Sequence, residues 1–274
     1  MAAVAPQPPP ADGQRVVLFV APGSPAAHFA GKVVVALDAY NIKHYCNFVD
    51  LLPAKRTLPS GGTVVPEMVI GDTIVSDSEA ILHSLETTFG LALFPNERAG
   101  ELSQRASDGI LLACALFYNL VHEQTYRKSV SAQFEAEMPA YFCCFKRTIV
   151  DRMAASFRDK NRLKAFAQLG EWPPEAEVRA KLIAELQFFQ SLLQAPGQRY
   201  LLPDSTRGPS AADISLYVVI ERIVGSHGDV PLRSPLPELV SEEATRLARL
   251  WEWHRMMKAA HPIVFKGKRL PAAK

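Results

Sequence analysis

The chain is poor in what a disulfide scaffold, a metal centre or a membrane span would need. Its 274 residues hold four cysteines, at positions 46, 114, 143 and 144. Cys143 and Cys144 are direct neighbours, a spacing that suits neither a disulfide framework nor a zinc site. A reducing, cytoplasmic compartment is therefore expected. No apolar run approaches the roughly 18 residues of a membrane-spanning helix; the richest, Val16 to Val20, has the length of a strand. No membrane partner is expected. Neither sign of charge prevails, since 30 Lys and Arg stand against 28 Asp and Glu for a formal net charge of +2. That balance is wrong for a protein that neutralises a phosphate backbone, so nucleic acid is not expected as a partner. HExxH, CxxC, a Gly-rich phosphate loop and G-x-S-x-G are all missing, which argues against a metal, a nucleotide cofactor and disulfide-reductase chemistry.

What is present describes a globular chain, 48% hydrophobic and 21% charged, long enough for two domains. The opening MAAVAPQPPPADGQ is rich in Pro and Ala, with no basic residue before Arg15. It fits neither a secretory signal nor an Arg-rich transit peptide, and residues 1–14 read as a disordered tail. RVVLFVAPGSP then gives a strand closed by Gly and Pro, and AAHFAGKVVVALDAY a stretch of helical length. Lys43 to Asp50 alternates towards a second strand, completing a βαβ unit and a parallel pair. A loop, a strand carrying Pro66, a Gly71-Asp72 turn, a strand at Thr73 to Val75 and a helix from Ser78 to Phe89 follow. The order βαβ then ββα, with a mixed four-stranded sheet, is the thioredoxin-like plan.

Beyond the FPNE loop at residues 94–97 the pattern becomes helical throughout. Leu102, Ala106, Ile110, Ala113, Phe117, Leu120 and Val121 form a first stripe, a second helix is read over residues 133–166, and a third stripe runs over 176–194. In GPSAADISLYVVIERIVG, Ser210 and Asp213 three residues later have the spacing of a capping box. Behind them Ile214 to Val224 leave almost no polar face, so this helix is expected to be central and buried. A last helix over about 242–260 carries Trp251 and Trp253. The expected division is a tail at 1–14, a thioredoxin-like domain at 15–90, a linker at 91–102 and an all-helical domain at 103–274.

This layout resembles the cytosolic glutathione transferase superfamily over roughly residues 15–262. Three local features carry the resemblance: Val65-Pro66 at the start of the third strand, Asp77-Ser78 eleven residues after Pro66 at the entry of a helix, and the Ser210/Asp213 box. The resemblance implies a cis Pro66, a Val65 backbone that pairs with the cysteinyl part of glutathione, and Asp77 and Ser78 holding its γ-glutamyl group. Read from the residues alone, a hydroxyl and N–H groups at a helix start suit a carboxylate, whereas Ser and Asp are also favoured there as plain caps. Lys55 and Arg56 sit where family members send a basic residue to the glycyl carboxylate; a solvated loop charge is the alternative.

Residues 27–38, AHFAGKVVVALD, resemble the S-H-F-C-E-K-A-R-W-A-L-D pattern of one bacterial and fungal branch. Ala27 and Ala30 then stand where that pattern has polar residues, and neither can donate to a thiolate. Ser24, before Pro25 and one helical turn earlier, is the alternative catalytic residue; it also reads as a simple N-cap. His28 keeps its place in the pattern and is a candidate glutathione contact; a histidine that packs or bonds locally is the alternative. Tyr118, His122 and Tyr126 are candidate walls of an electrophile pocket, or core residues. The resemblance further implies a homodimer. The expected function is conjugation of the glutathione thiolate, glutathione being co-substrate, to a small hydrophobic electrophile. A non-catalytic glutathione- or ligand-binding protein on the same fold and a glutathione-dependent isomerase or lyase stay open beside it.

Overall fold

The computed structural model describes residues 15–21, 27–50, 58–119, 174–195, 197–203, 205, 207–224, 226–227, 230–231 and 246–268, with the isolated helical positions Thr148, Arg152 and Ala155. The helix read over 133–166 and the tail at 1–14 otherwise lie outside the described residues.

In β1 (Val16–Val20), Val16, Leu18 and Val20 are buried while the residues between them are partly exposed, the two-residue alternation of a pleated strand. α1 (Ala27–Ala39) follows, with Val33 to Leu37 entirely buried. β2 (His44–Phe48) pairs parallel to β1, Val16 opposite His44 and Val20 opposite Phe48. β3 (Glu67–Ile70) pairs antiparallel to β1, and β4 (Thr73–Ser76) antiparallel to β3 across the Gly71-Asp72 turn. α2 (Ser78–Phe89) ends at Gly90, whose φ of 62° belongs to the left-handed region that glycine adopts without a Cβ penalty. A mixed sheet with α1 as the helical crossover of its parallel pair results, and the thioredoxin-like expectation is met.

The sheet departs from that plan at one edge. Its strand order is β4-β3-β1-β2-β7, where β7 is the two-residue Gly267–Lys268, parallel to β2. Cys46 N–H donates to the Lys266 carbonyl at 3.0 Å, and Lys266 Nζ reaches Asp38 at 2.9 Å. The approach is so close that a methyl group at Gly267 would stand 1.7 Å from the Cys46 carbonyl oxygen. Beneath this strand the buried Cys46 thiol is free, and burial pushes its pKa up to about 12. Two residues give no periodicity, so sequence pattern could not reveal this strand.

The remaining described helices are α3 (Glu97–Asn119), α4 (Glu175–Leu192), α5 (Ala211–Val224) and α6 (Ala248–Ala260). α3 begins at Glu97, inside the stretch read as linker. α5 is the axis of this half: every residue from Ala211 to Glu221 is buried, and it packs on α3 and α1. Its start is closed reciprocally, Ser210 Oγ accepting from Asp213 N–H at 3.3 Å while Asp213 Oδ2 accepts from Ser210 N–H at 2.9 Å and from Ser210 Oγ at 2.6 Å. Asp213 Oδ1 also takes the Leu201 N–H at 2.7 Å. Full burial raises the Asp213 carboxyl to about 6, against the lowering effect of these hydrogen bonds. Between α5 and α6, the buried Glu221 carboxylate meets His254 Nε2 at 2.6 Å and Lys258 Nζ at 3.2 Å. A short antiparallel pair, β5 (Ser226–His227) with β6 (Val230–Pro231), interrupts the expected all-helical half.

The halves are joined by packing and by backbone. Ala211 N–H donates to the Leu93 carbonyl at 2.7 Å, Tyr40 OH donates to the Pro209 carbonyl at 3.2 Å, and buried Ile263 lies against α1 at Gly31. No helix among the described residues is long and apolar enough to cross a membrane.

Candidate functional site

The antiparallel register places the candidate residues. Glu67 lies opposite Phe19 of β1 on one side and Ser76 of β4 on the other. One step further out, the C-terminal end of β1, Val65-Pro66 and Asp77-Ser78 all come to the same end of the sheet. The Val65-Pro66 peptide is cis.

Asp77, not Ser78, is the N-cap of α2: its Oδ1 accepts from Glu79 N–H at 2.9 Å and Ala80 N–H at 3.2 Å. It does so at φ 78°, a left-handed backbone that a non-glycine residue holds at a cost of order 1–3 kcal/mol. Ser78 is the first helical residue, 5% exposed, and its hydroxyl has no protein partner among the described residues. The cap therefore uses one carboxylate oxygen of Asp77 and two N–H groups of the helix start, while the Ser78 hydroxyl stays available to an anion.

Behind this end stands a residue that sequence reasoning missed. Glu67 is fully buried, and its two oxygens accept separately from Ser60 N–H and from Ser76 Oγ, both at 3.0 Å. It thereby ties the turn at Ser60 to the last residue of β4, just before Asp77. An acidic residue opening an otherwise apolar strand, PEMVI, was the signal available. Lys32 was missed too: on α1, 1% exposed, it carries a charge into the apolar AGKVVVAL and pairs with Glu79 Oε2 at 3.0 Å.

His28, the second residue of α1, is 3% exposed with its ring 4.1 Å from that of Phe29. Ala27 opens α1 as described and Ala30 is 1% exposed. Tyr118 falls in the last turn of α3. Ser24, Lys55, Arg56, His122 and Tyr126 lie outside the described residues. Ser210 and Asp213, at the start of α5, belong to the scaffold rather than to this end of the sheet. Among the described residues there is no group of three or more His, Cys, Asp or Glu side chains that could hold a metal ion.

No known protein-family model matches the chain, and no curated protein matches it by sequence. Solved structures do share its fold. A glutathione S-transferase from Methylobacterium radiotolerans, in complex with glutathione sulfonate, is 18% identical with a TM-score of 0.54, covering 95% of this chain and 99% of its own. Two glutathione transferases from Phanerochaete chrysosporium are each 15% identical, with TM-scores of 0.55 and 0.53. They cover 92% and 91% of this chain and 100% and 98% of theirs. The fold is that of the glutathione transferases.

Proposed function

We propose that the chain is a divergent glutathione transferase that joins the glutathione thiolate to a small hydrophobic electrophile. The observation that carries this reading is the meeting of Val65-Pro66 with Asp77-Ser78 at one end of the sheet, on a fold shared with glutathione transferases. Ser78 would receive the γ-glutamyl carboxylate and the outer oxygen of Asp77 the neighbouring ammonium. The Val65 backbone would pair with the cysteinyl unit, Lys55 or Arg56 with the glycyl carboxylate, and His28 would border the same site.

The Ser24 hydroxyl would donate to the sulfur and stabilise the thiolate left when the thiol proton passes to solvent. The thiolate attacks an electrophilic carbon, and as the C–S bond forms the bond to a leaving group such as halide breaks and that group departs with its electron pair. Tyr118, His122 and Tyr126 would line the electrophile's side. Holding both reactants together supplies much of the acceleration. The chain would comprise two domains meeting in the stretch 91–102, form a homodimer and reside in a reducing cytoplasm, which suits the free Cys46 thiol.

A specific observation favours a second reading. The described start of α1 offers alanines at positions 27 and 30, with no hydroxyl or thiol to activate a thiolate. A glutathione-binding protein without conjugating activity is the result if Ser24 does not serve. Calorimetric titration of glutathione, followed by a screen of electrophiles, separates these cases: binding without turnover supports the second reading. No binding, confirmed by a fluorescence titration, removes both.

A further inference from the structure

The N-cap and the first turn of α2 carry one acidic residue each, Asp77 and Glu79, on either side of the serine that would receive a carboxylate. Asp77 has a use there, as cap and as ammonium partner. An uncompensated Glu79 would oppose anion binding one residue away, offsetting what the helix N-terminus contributes. The structure gives each Glu79 carboxylate oxygen a partner. Oε2 meets Lys32 Nζ at 3.0 Å, and Oε1 accepts from Ser103 Oγ at 2.8 Å. Lys32 also donates to Ser107 Oγ at 2.9 Å, and the Ser103 and Ser215 hydroxyls are 2.9 Å apart. Lys32 of α1 and Ser103 of α3 thus hold the Glu79 carboxylate directly, with Ser107 of α3 and Ser215 of α5 bonded behind them.

We propose that Lys32 is a positioning residue for anion binding at Ser78: it cancels the Glu79 charge and holds that carboxylate off the ligand. The proposal rests on the glutathione reading above. Burying an ammonium is costly, and apolar replacements of buried ion pairs are often neutral or better for stability. The pair earns its place through the charge it removes from the helix start.

The test is a charge-balance cycle on the full chain, with glutathione titrated by calorimetry. Lys32→Met should weaken binding about tenfold, as an uncompensated carboxylate near the ligand's own would. Glu79→Gln alone should change binding less than about twofold, and the double variant should return to within about threefold of the starting affinity. That rescue is the readout a purely structural role would not produce. Unchanged binding in Lys32→Met, or loss of binding that Glu79→Gln does not rescue, overturns the proposal. Where Lys32→Met alone does not fold, Lys32→Arg and the double variant carry the test, and failure of both to bind while folded overturns it equally. If the unaltered chain does not bind glutathione, the functional reading falls and this inference falls with it.

Discussion

The Glu67 carboxylate and the Ser76 hydroxyl meet at 3.0 Å between residues that are also register partners in the β3–β4 ladder. Side chain and backbone therefore fix the same step of the hairpin, directly below Pro66 and Asp77. Glu67→Ala leaves the Ser60 N–H and the Ser76 hydroxyl without this acceptor; both residues are exposed, so water can take its place and the loss is about 0.5–1.5 kcal/mol for each hydrogen bond. Urea unfolding reads the loss, and glutathione affinity should fall with it. An unaltered affinity would mean that the hairpin end holds its geometry without Glu67.

Asp77 and Ser78 separate cap from ligand contact. Asp77→Ala removes the cap of α2 and should lower stability by about 1 kcal/mol while also weakening glutathione. Ser78→Ala should leave stability within about 0.5 kcal/mol. It should weaken glutathione about tenfold, as loss of a hydrogen bond to a charged group does. Thermal melts and titrations on the two variants decide it; normal affinity in Ser78→Ala would place the anion elsewhere.

Ser24→Ala addresses the chemistry. Loss of a donor that stabilises developing negative charge costs about 100-fold or more in kcat, with glutathione affinity nearly unchanged. Steady-state kinetics with an electrophile found in the screen supply the comparison. Turnover that survives unaltered removes Ser24 from the mechanism.

Asp213 makes stability depend on pH. Its folded pKa, about 6, lies above the ordinary 3.8 because burial disfavours the charge. The folded chain accordingly binds the proton more tightly than the unfolded one. The stabilisation is fully present below 3.8 and is lost as pH rises through about 6. In urea unfolding, the advantage of the unaltered chain over Asp213→Asn should narrow across that window. A constant difference from about pH 4 to 7 would contradict the sign.

The fold was legible where apolar spacing persists over many residues. β1 alternates, α1 and α5 are apolar almost all round, and the Ser210/Asp213 spacing marks the start of α5 at Ala211. Gly71-Asp72 marks the β3–β4 turn in the same way. The site was legible as two dipeptides, Val65-Pro66 and Asp77-Ser78, but their meeting depends on the register of Glu67 with Ser76, which pairing alone settles. Lys32 and Glu79 lie 47 positions apart, and no local pattern links an isolated lysine in an apolar helix to its partner. β7 is shorter than any period a pattern search can use. Its position follows from the path of the chain after α6.

That last strand sets an order of events for synthesis. Residues 16–76 contain four of the sheet's strands, yet the fifth arrives about 220 residues after the β2 segment it covers, a long-range closure of the kind that forms late. Among the described residues nothing else pairs with that edge of β2, so it waits for residues 266–268 to emerge, and an open edge invites pairing with other chains. The stretch from Ile263 to Lys268 doubles as a cover that arrives last, so truncations just before it would leave an aggregation-prone sheet even with every residue of the candidate site in place.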